Sequence, residues 1–168
     1  MSTLKVNNIT DTSGTVRRGI QTYAIICDQK AQNTAGGTAT SGAWRTRDLN
    51  TEIADPDGIV SIASNQFTLG AGTYLIEATA PLYRVDDYGM RLYNVTSSSA
   101  VQTGQSGFAA SSYNVYNFPQ VFARVTITGN TTFEIQQQFV STSTTYGFGV
   151  QGNVGPEVYT IVKIFKEA

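Results

Sequence analysis

The run 158–165 is apolar at both parities. In an extended chain Val158, Val162 and Ile164 fall on one side, and Tyr159, Ile161 and Phe165 on the other. The run 23–27 (Tyr-Ala-Ile-Ile-Cys) repeats the pattern. A sandwich strand normally shows one face to the core and the other to water. A strand apolar on both sides needs cover on both, or it exposes an adhesive patch. A third segment adds to this: Phe122 and Arg124 lie opposite Val121, Ala123, Val125 and Ile127. Packing against further copies of the chain is therefore expected through Tyr23, Ile25, Phe122, Arg124, Tyr159, Ile161 and Phe165. The alternative is that loops of the same chain cover this face.

Composition points to strands throughout. Val, Ile, Thr, Tyr and Phe are plentiful and suit a pleated surface, whereas Leu, Lys and Glu are too few to build amphipathic helices. Strand-like segments follow at 44–49, 59–62, 66–69, 74–80 and 90–93, with a weakly patterned stretch at 97–112. The segments 121–127 and 133–139 come next and are read as a hairpin about a two-residue primed turn, Gly129-Asn130. A glycine-rich loop, 147–155, precedes the closing run. Roughly eight to ten strands in one unit, with turn signals between them, predict an all-β sandwich or barrel, and a two-sheet jelly-roll sandwich has this strand count. Residues 1–20 are different: mostly polar, with Leu4, Val6 and Ile9 the candidates to bury. They read as an extended N-terminal arm of roughly 65 Å reach. The expected division is an arm over 1–20 and a jelly-roll domain over 21–168.

Several chemistries are excluded by what is missing. There is no histidine, so Ser-His and Cys-His nucleophiles are impossible, as are histidine metal sites. The single Cys27 can form neither an internal disulfide nor a zinc cluster, and it reads as a buried inert thiol. Eleven basic and 12 acidic side chains give a net charge of −1, without the basic stripe of a nucleic-acid binder. No apolar run reaches the length of a membrane-spanning helix. Residues 1–8 lack the pattern of a secretory leader, so synthesis in a reducing cytosol is expected. The sequons at Asn94 and Asn130 then read as chance matches.

The segment Asp55-Pro56-Asp57-Gly58, then Phe67, then Gly72-Thr73-Tyr74-Leu75-Ile76, resembles the complement-C1q/tumour-necrosis-factor jelly-roll superfamily. Met90-Arg91-Leu92-Tyr93-Asn94 resembles that family's next strand, and the closing run its last. The resemblance implies a homotrimer in which the first, last and central strands share an inner sheet facing a three-fold axis. The opening Thr3-Leu4-Lys5-Val6-Asn7-Asn8-Ile9-Thr10-Asp11-Thr12-Ser13-Gly14 is similar to phage tail-fibre and other virion fibre proteins. That likeness implies attachment to other virion proteins through Leu4, Val6 and Ile9.

Candidate chemistry is sparse. Asp55 and Asp57, with Glu52 nearby, have the oxygen ligands calcium takes, but in this turn they read as an Asx-type cap. Asp86 and Asp87 are adjacent, so they point to opposite sides and make a poor acid/base pair. Gln136, Gln137 and Gln138, like Ser97, Ser98 and Ser99, read as solvated surface. Tyr83, Arg84, Tyr88, Tyr113, Tyr116 and Tyr146 fall in or beside loops, where tyrosine offers amphipathic contact area at low entropic cost. They are the expected ligand-binding residues, suited to a host-surface glycan. No enzyme activity and no cofactor are expected. The reading is a trimeric virion fibre or knob, made in the host cytoplasm, with no nucleic-acid partner and no membrane insertion. The alternatives are a capsid or tail decoration protein that binds no host, and a polysaccharide depolymerase.

Overall fold

The structure, a computed structural model, describes residues 9–10, 16–17 and 22–167. Leu4 and Val6 lie outside the described residues, and of Ile9 only the backbone pairing is described. The strands are β1 (Ile9–Thr10), β2 (Val16–Arg17), β3 (Tyr23–Lys30), β4 (Arg45–Thr46), β5 (Thr51–Ala54), β6 (Val60–Ala63), β7 (Gln66–Leu69) and β8 (Gly72–Thr79). They continue with β9 (Leu82–Tyr83), β10 (Asp86–Asn94), β11 (Ser99–Thr103), β12 (Gly107–Ala109), β13 (Tyr116–Asn117), β14 (Gln120–Ile127), β15 (Thr131–Phe139) and β16 (Glu157–Lys166).

Two antiparallel sheets face each other. One has the order β14-β8-β16-β3-β5; the other runs β11-β10-β15-β7-β6, with β12 added on β10 and β4 on β15. The domain's first and last strands, β3 and β16, are neighbours in the five-stranded sheet, where β16 is central and lies between β8 and β3. Within the arm, β1 pairs with β2, Ile9 opposite Arg17.

Period-two patterning builds the core between the sheets. Ala24, Ile26, Tyr74, Ile76, Ala78, Val121, Val162 and Ile164 meet Phe67, Leu69, Met90, Leu92, Phe133 and Ile135. The Phe67 and Phe133 rings stack with centroids 5.6 Å apart. Each such large side chain contributes about 2 kcal/mol by leaving water. A second cluster, formed by Ala39, Leu82, Val85, Ala109 and Phe139, plugs the space beneath the loops.

Local turn chemistry explains one hairpin and misleads on another. Between β6 and β7 the chain reverses on Ser64 and Asn65, at φ of 53° and 64°. That is the doubly left-handed arrangement of a primed two-residue turn. The expected hairpin at Gly129-Asn130 is not one. Its flanking strands β14 and β15 belong to different sheets, so the connection bridges the sandwich. Both strands carry a one-sided apolar pattern, and facing each other across the core buries both. At 55–58 the Asp55 carboxylate accepts the backbone N–H groups of Ile59 and Val60, both at 2.9 Å, as an Asx-type cap should.

The glutamine run departs from expectation. Gln137 points into the core, fully buried; Gln136 and part of Gln138 are covered as well. The cause is a buried arginine 90 positions away. Arg47 donates from Nη1 to Gln137 Oε1 (3.3 Å), from Nε to Thr160 Oγ1 (3.1 Å) and from Nη2 to the Phe148 carbonyl (2.8 Å). Its guanidinium also lies 4.1 Å from the Phe148 ring centroid. Gln137 in turn donates to the Ala80 carbonyl at 2.9 Å.

Candidate functional site

The outer face of the five-stranded sheet is ruled into rows by the strand register. Phe122, Glu77, Lys163 and Ile25 stand side by side across β14, β8, β16 and β3. The next row is Arg124, Leu75, Phe165 and Tyr23, and on the other side come Gln120, Thr79, Ile161 and Cys27. Six of the seven residues expected to meet other copies therefore share one surface. Phe122 is 57% exposed, and Leu75, which joins it, is exposed as well. A shallow hollow of about 360 Å³ lies among Leu75, Glu77, Phe122, Arg124 and Phe165.

The charges on this face are already paired. Lys163 Nζ sits 3.2 Å from Glu77 Oε1. Arg124 forks onto Glu167, Nε to Oε1 at 2.8 Å and Nη2 to Oε2 at 2.7 Å. Paired charges lose less on dehydration than lone ones, so the face can be covered without stranding an ion.

Tyr159 does not join the face. The β16–β3 register shifts between Val158 and Ile161, which breaks the alternation there. Val158 becomes exposed, while Tyr159 is 5% exposed and donates from its hydroxyl to the Thr34 carbonyl at 2.7 Å. Gly149, at φ 146°, lies directly against the ring, where a β-carbon would collide. The loops of the same chain cover this one position, and burial pushes the phenol up to about 12. Glu157 ties those loops together, accepting the backbone N–H groups of Gly152 (2.8 Å), Asn153 (2.9 Å) and Asn33 (3.3 Å).

Three of the six loop residues converge. The β9–β10 connection, the segment after β12 and the segment after β15 meet through backbone bonds: Tyr83 N–H to the Gly147 carbonyl (3.0 Å), Val85 to Ala109 (3.0 Å) and Ser141 to Val85 (3.0 Å). They enclose a polar cleft of about 360 Å³ lined by Tyr83, Arg84, Ser111, Thr142, Ser143, Thr144, Thr145 and Tyr146. Tyr113 is highly exposed nearby in sequence. Tyr116 is half-buried, its ring edge-on to Tyr83 (6.2 Å) and Phe118 (4.7 Å). Tyr88 stands apart: its hydroxyl tucks against Gly107, and it borders different hollows, with Asn117 and Phe118 on one side and Trp44 on the other. Asp86 is structural: it accepts from the Ser111 N–H (2.7 Å) and the Ser141 hydroxyl, which together hold its carboxyl below the ordinary range. Asp87 points away and is exposed.

Sequence reasoning passed over the charges beneath the loops. Burial lowers the Arg47 guanidinium to about 10, so it stays protonated at neutral pH. Asp28, 1% exposed on its side chain, takes Lys30 Nζ on Oδ1 at 3.0 Å, while its Oδ2 meets no donor among the described residues. Period two from the exposed Asn50 back through buried Leu49 and Arg47 was the available signal. Burial, the largest influence, raises the Asp28 carboxyl above its ordinary 3.8, against the pull of Lys30. The folded chain thus keeps this proton to higher pH than the unfolded chain. This group therefore makes stability fall as pH rises from 3.8 through the folded value. Asp28→Asn is expected to melt higher than the parent at pH 7, the gap closing toward 3.8, with Lys30 keeping Asp48 at 2.7 Å. Thermal unfolding across that range checks it; a gap that widens in acid contradicts it.

No family model and no curated protein matches this sequence. Solved structures do. The globular domain of zebrafish complement 1qA aligns over 88% of this chain and 98% of its own, with TM-score 0.56 and 15% identity. Murine APRIL at pH 5.0 aligns over 88% and 99%, at TM-score 0.60 and 7% identity. The Eiger TNF of S. frugiperda aligns over 88% and 93%, at 0.60 and 13%. The fold is thus the C1q/TNF-like jelly roll, as the motifs around Phe67 and Tyr74 implied.

Proposed function

We propose that this C1q/TNF-like jelly roll is the trimerising head of a virion fibre or knob, held to the particle by residues 1–20 and offering its loop cleft to a host-surface glycan. The outer face of the five-stranded sheet carries the reading: exposed Phe122 and Leu75, flanked by Phe165, with its ion pairs closed internally. Such a face is suited to burial against copies of itself. The virion assignment rests on the likeness of 3–14 to phage fibre proteins. Recognition rests on the cleft between Tyr83, Arg84 and Tyr146.

The test has two arms. Sedimentation of the purified chain should give three times the 18.1 kDa chain mass; a stable monomer at micromolar concentration defeats the assembly reading. Deleting 1–19 should leave a folded trimer that no longer incorporates into particles. Saturable binding of the trimer to host cells supports recognition. Its absence at high occupancy favours a decoration protein instead.

A further inference from the structure

Among the described residues that line it, the cleft holds one positive charge, Arg84, and no negative one. Arg84 lies in the left-handed region, at φ 56°, as do Asp86 (58°) and, on the opposite wall, Thr145 (63°). Non-glycine residues rarely adopt this conformation unless the surroundings impose it. Here they do. The Arg84 N–H donates to the Val115 carbonyl at 3.3 Å, and its Nε to the Ser111 carbonyl at 2.7 Å. That second bond fixes the plane of the guanidinium while leaving Nη1 and Nη2 without a hydrogen bond or ion pair among the described residues. The guanidinium carbon is 5.9 Å from the Tyr83 ring centroid.

The nearest carboxylate in sequence, Asp86, is occupied. It bonds the Ser111 N–H and the Ser141 hydroxyl, and so joins two walls of the cleft. The remaining lining groups are uncharged. Among them, the hydroxyls of Thr144, Thr145 and Tyr146 bond nothing within the described residues.

We infer that this cleft binds a sugar bearing a carboxylate, of the uronic or sialic acid type, with the Arg84 guanidinium gripping the carboxylate and the hydroxyl wall meeting the ring oxygens. This deepens the glycan-recognition reading above and rests on it. A guanidinium with a free edge matches a planar carboxylate in two parallel bonds. One lone cation matches one negative charge. A tyrosine on each side supplies the apolar surface against which a pyranose lays its C–H face. A volume of about 360 Å³ suits one or two sugar rings.

The test uses the full chain and six probes: sialyllactose and trigalacturonate, the methyl ester of each, neutral lactose and sulfated lactose. At least one acid should bind, and its methyl ester, which keeps shape and loses charge, should bind about tenfold more weakly or worse. Arg84→Gln should lose that acid to the same degree with the fold retained by circular dichroism, and Arg84→Lys should recover only part of it. Equal binding of acid and ester, binding of sulfated lactose as strong as of the acids, or unaltered binding by Arg84→Gln each overturns the inference. Binding of neutral lactose alone, or host-cell binding with no acid bound, overturns it too while leaving glycan or host recognition intact. Loss of every probe together with host-cell binding ends both readings.

Discussion

Phe122→Asp is expected to turn the assembly into single 18.1 kDa chains at micromolar concentration. Phe122 projects from β14 on the exposed face, directly across from Glu77 on β8. In the assembly proposed above that position lies against a neighbouring copy, and an aspartate there would be a carboxylate without a partner. Burying such a charge costs several kcal/mol, and the like charge on Glu77 adds to the cost. Each interface repeats the defect, so the loss of association should exceed what one exposed side chain could cause. Phe108 is the control. It is equally exposed, at 57%, but sits on β12 in the other sheet. Phe108→Asp should sediment like the parent. The assembly reading fails if Phe122→Asp remains trimeric, or if both variants dissociate alike.

The second large effect is on stability. Arg47→Ala is expected to cost about 3–5 kcal/mol, or on the order of 10 °C in melting temperature. The side chain ends in a pocket where three acceptors, on Gln137, Thr160 and Phe148, converge on its nitrogens. Removing it strands those acceptors out of water and empties a large volume. Arg47→Lys should rescue little, because one ammonium cannot serve three directions at once. Arg47→Met keeps the stem's packing and removes only the donors, so it should lie between alanine and the parent. Adding Gln137→Leu to Arg47→Met should restore part of the loss, since it removes a stranded acceptor. Calorimetry or circular dichroism decides the order of the melting temperatures of these four variants and the parent. An Arg47→Met variant as stable as the parent would show that the network contributes nothing net.

Much of the fold was legible because strand patterning is local. Alternation along 74–80 and 121–127 gave the core face, and its complement gave Phe122 and Arg124. What failed depended on company the sequence does not reveal. Gly129-Asn130 carries good turn chemistry, but the same residues serve a hairpin or a bridge between sheets. The tight reversal came instead at Ser64-Asn65, with no glycine to mark it. Gln137 is buried because Arg47 waits for it, and nothing within ten residues of either announces the other. Tyr159 left its face through a register shift of a kind that periodicity cannot locate. In the cleft, residue types alone suggested Tyr83, Arg84 and Tyr146, but only the closing of three distant loops separated them from Tyr88.

The adjacency of β3 and β16 gives the domain a direction. The Lys166 N–H donates to the Thr22 carbonyl at 2.8 Å, so the chain comes in and goes out at one pole. At the other end of the same two strands, Lys30 stands opposite Glu157. Beyond them the 33–37 loop bonds to Thr145, one wall of the cleft. Residue 22, where the proposed tether joins the domain, and the cleft thus lie at opposite poles. A cargo fused after residue 166 would emerge beside residue 22 and leave the cleft unobstructed. A short linker from 166 to 22 would also close the domain into a ring, which could be reopened at the exposed turn around Ser97 and Ser98.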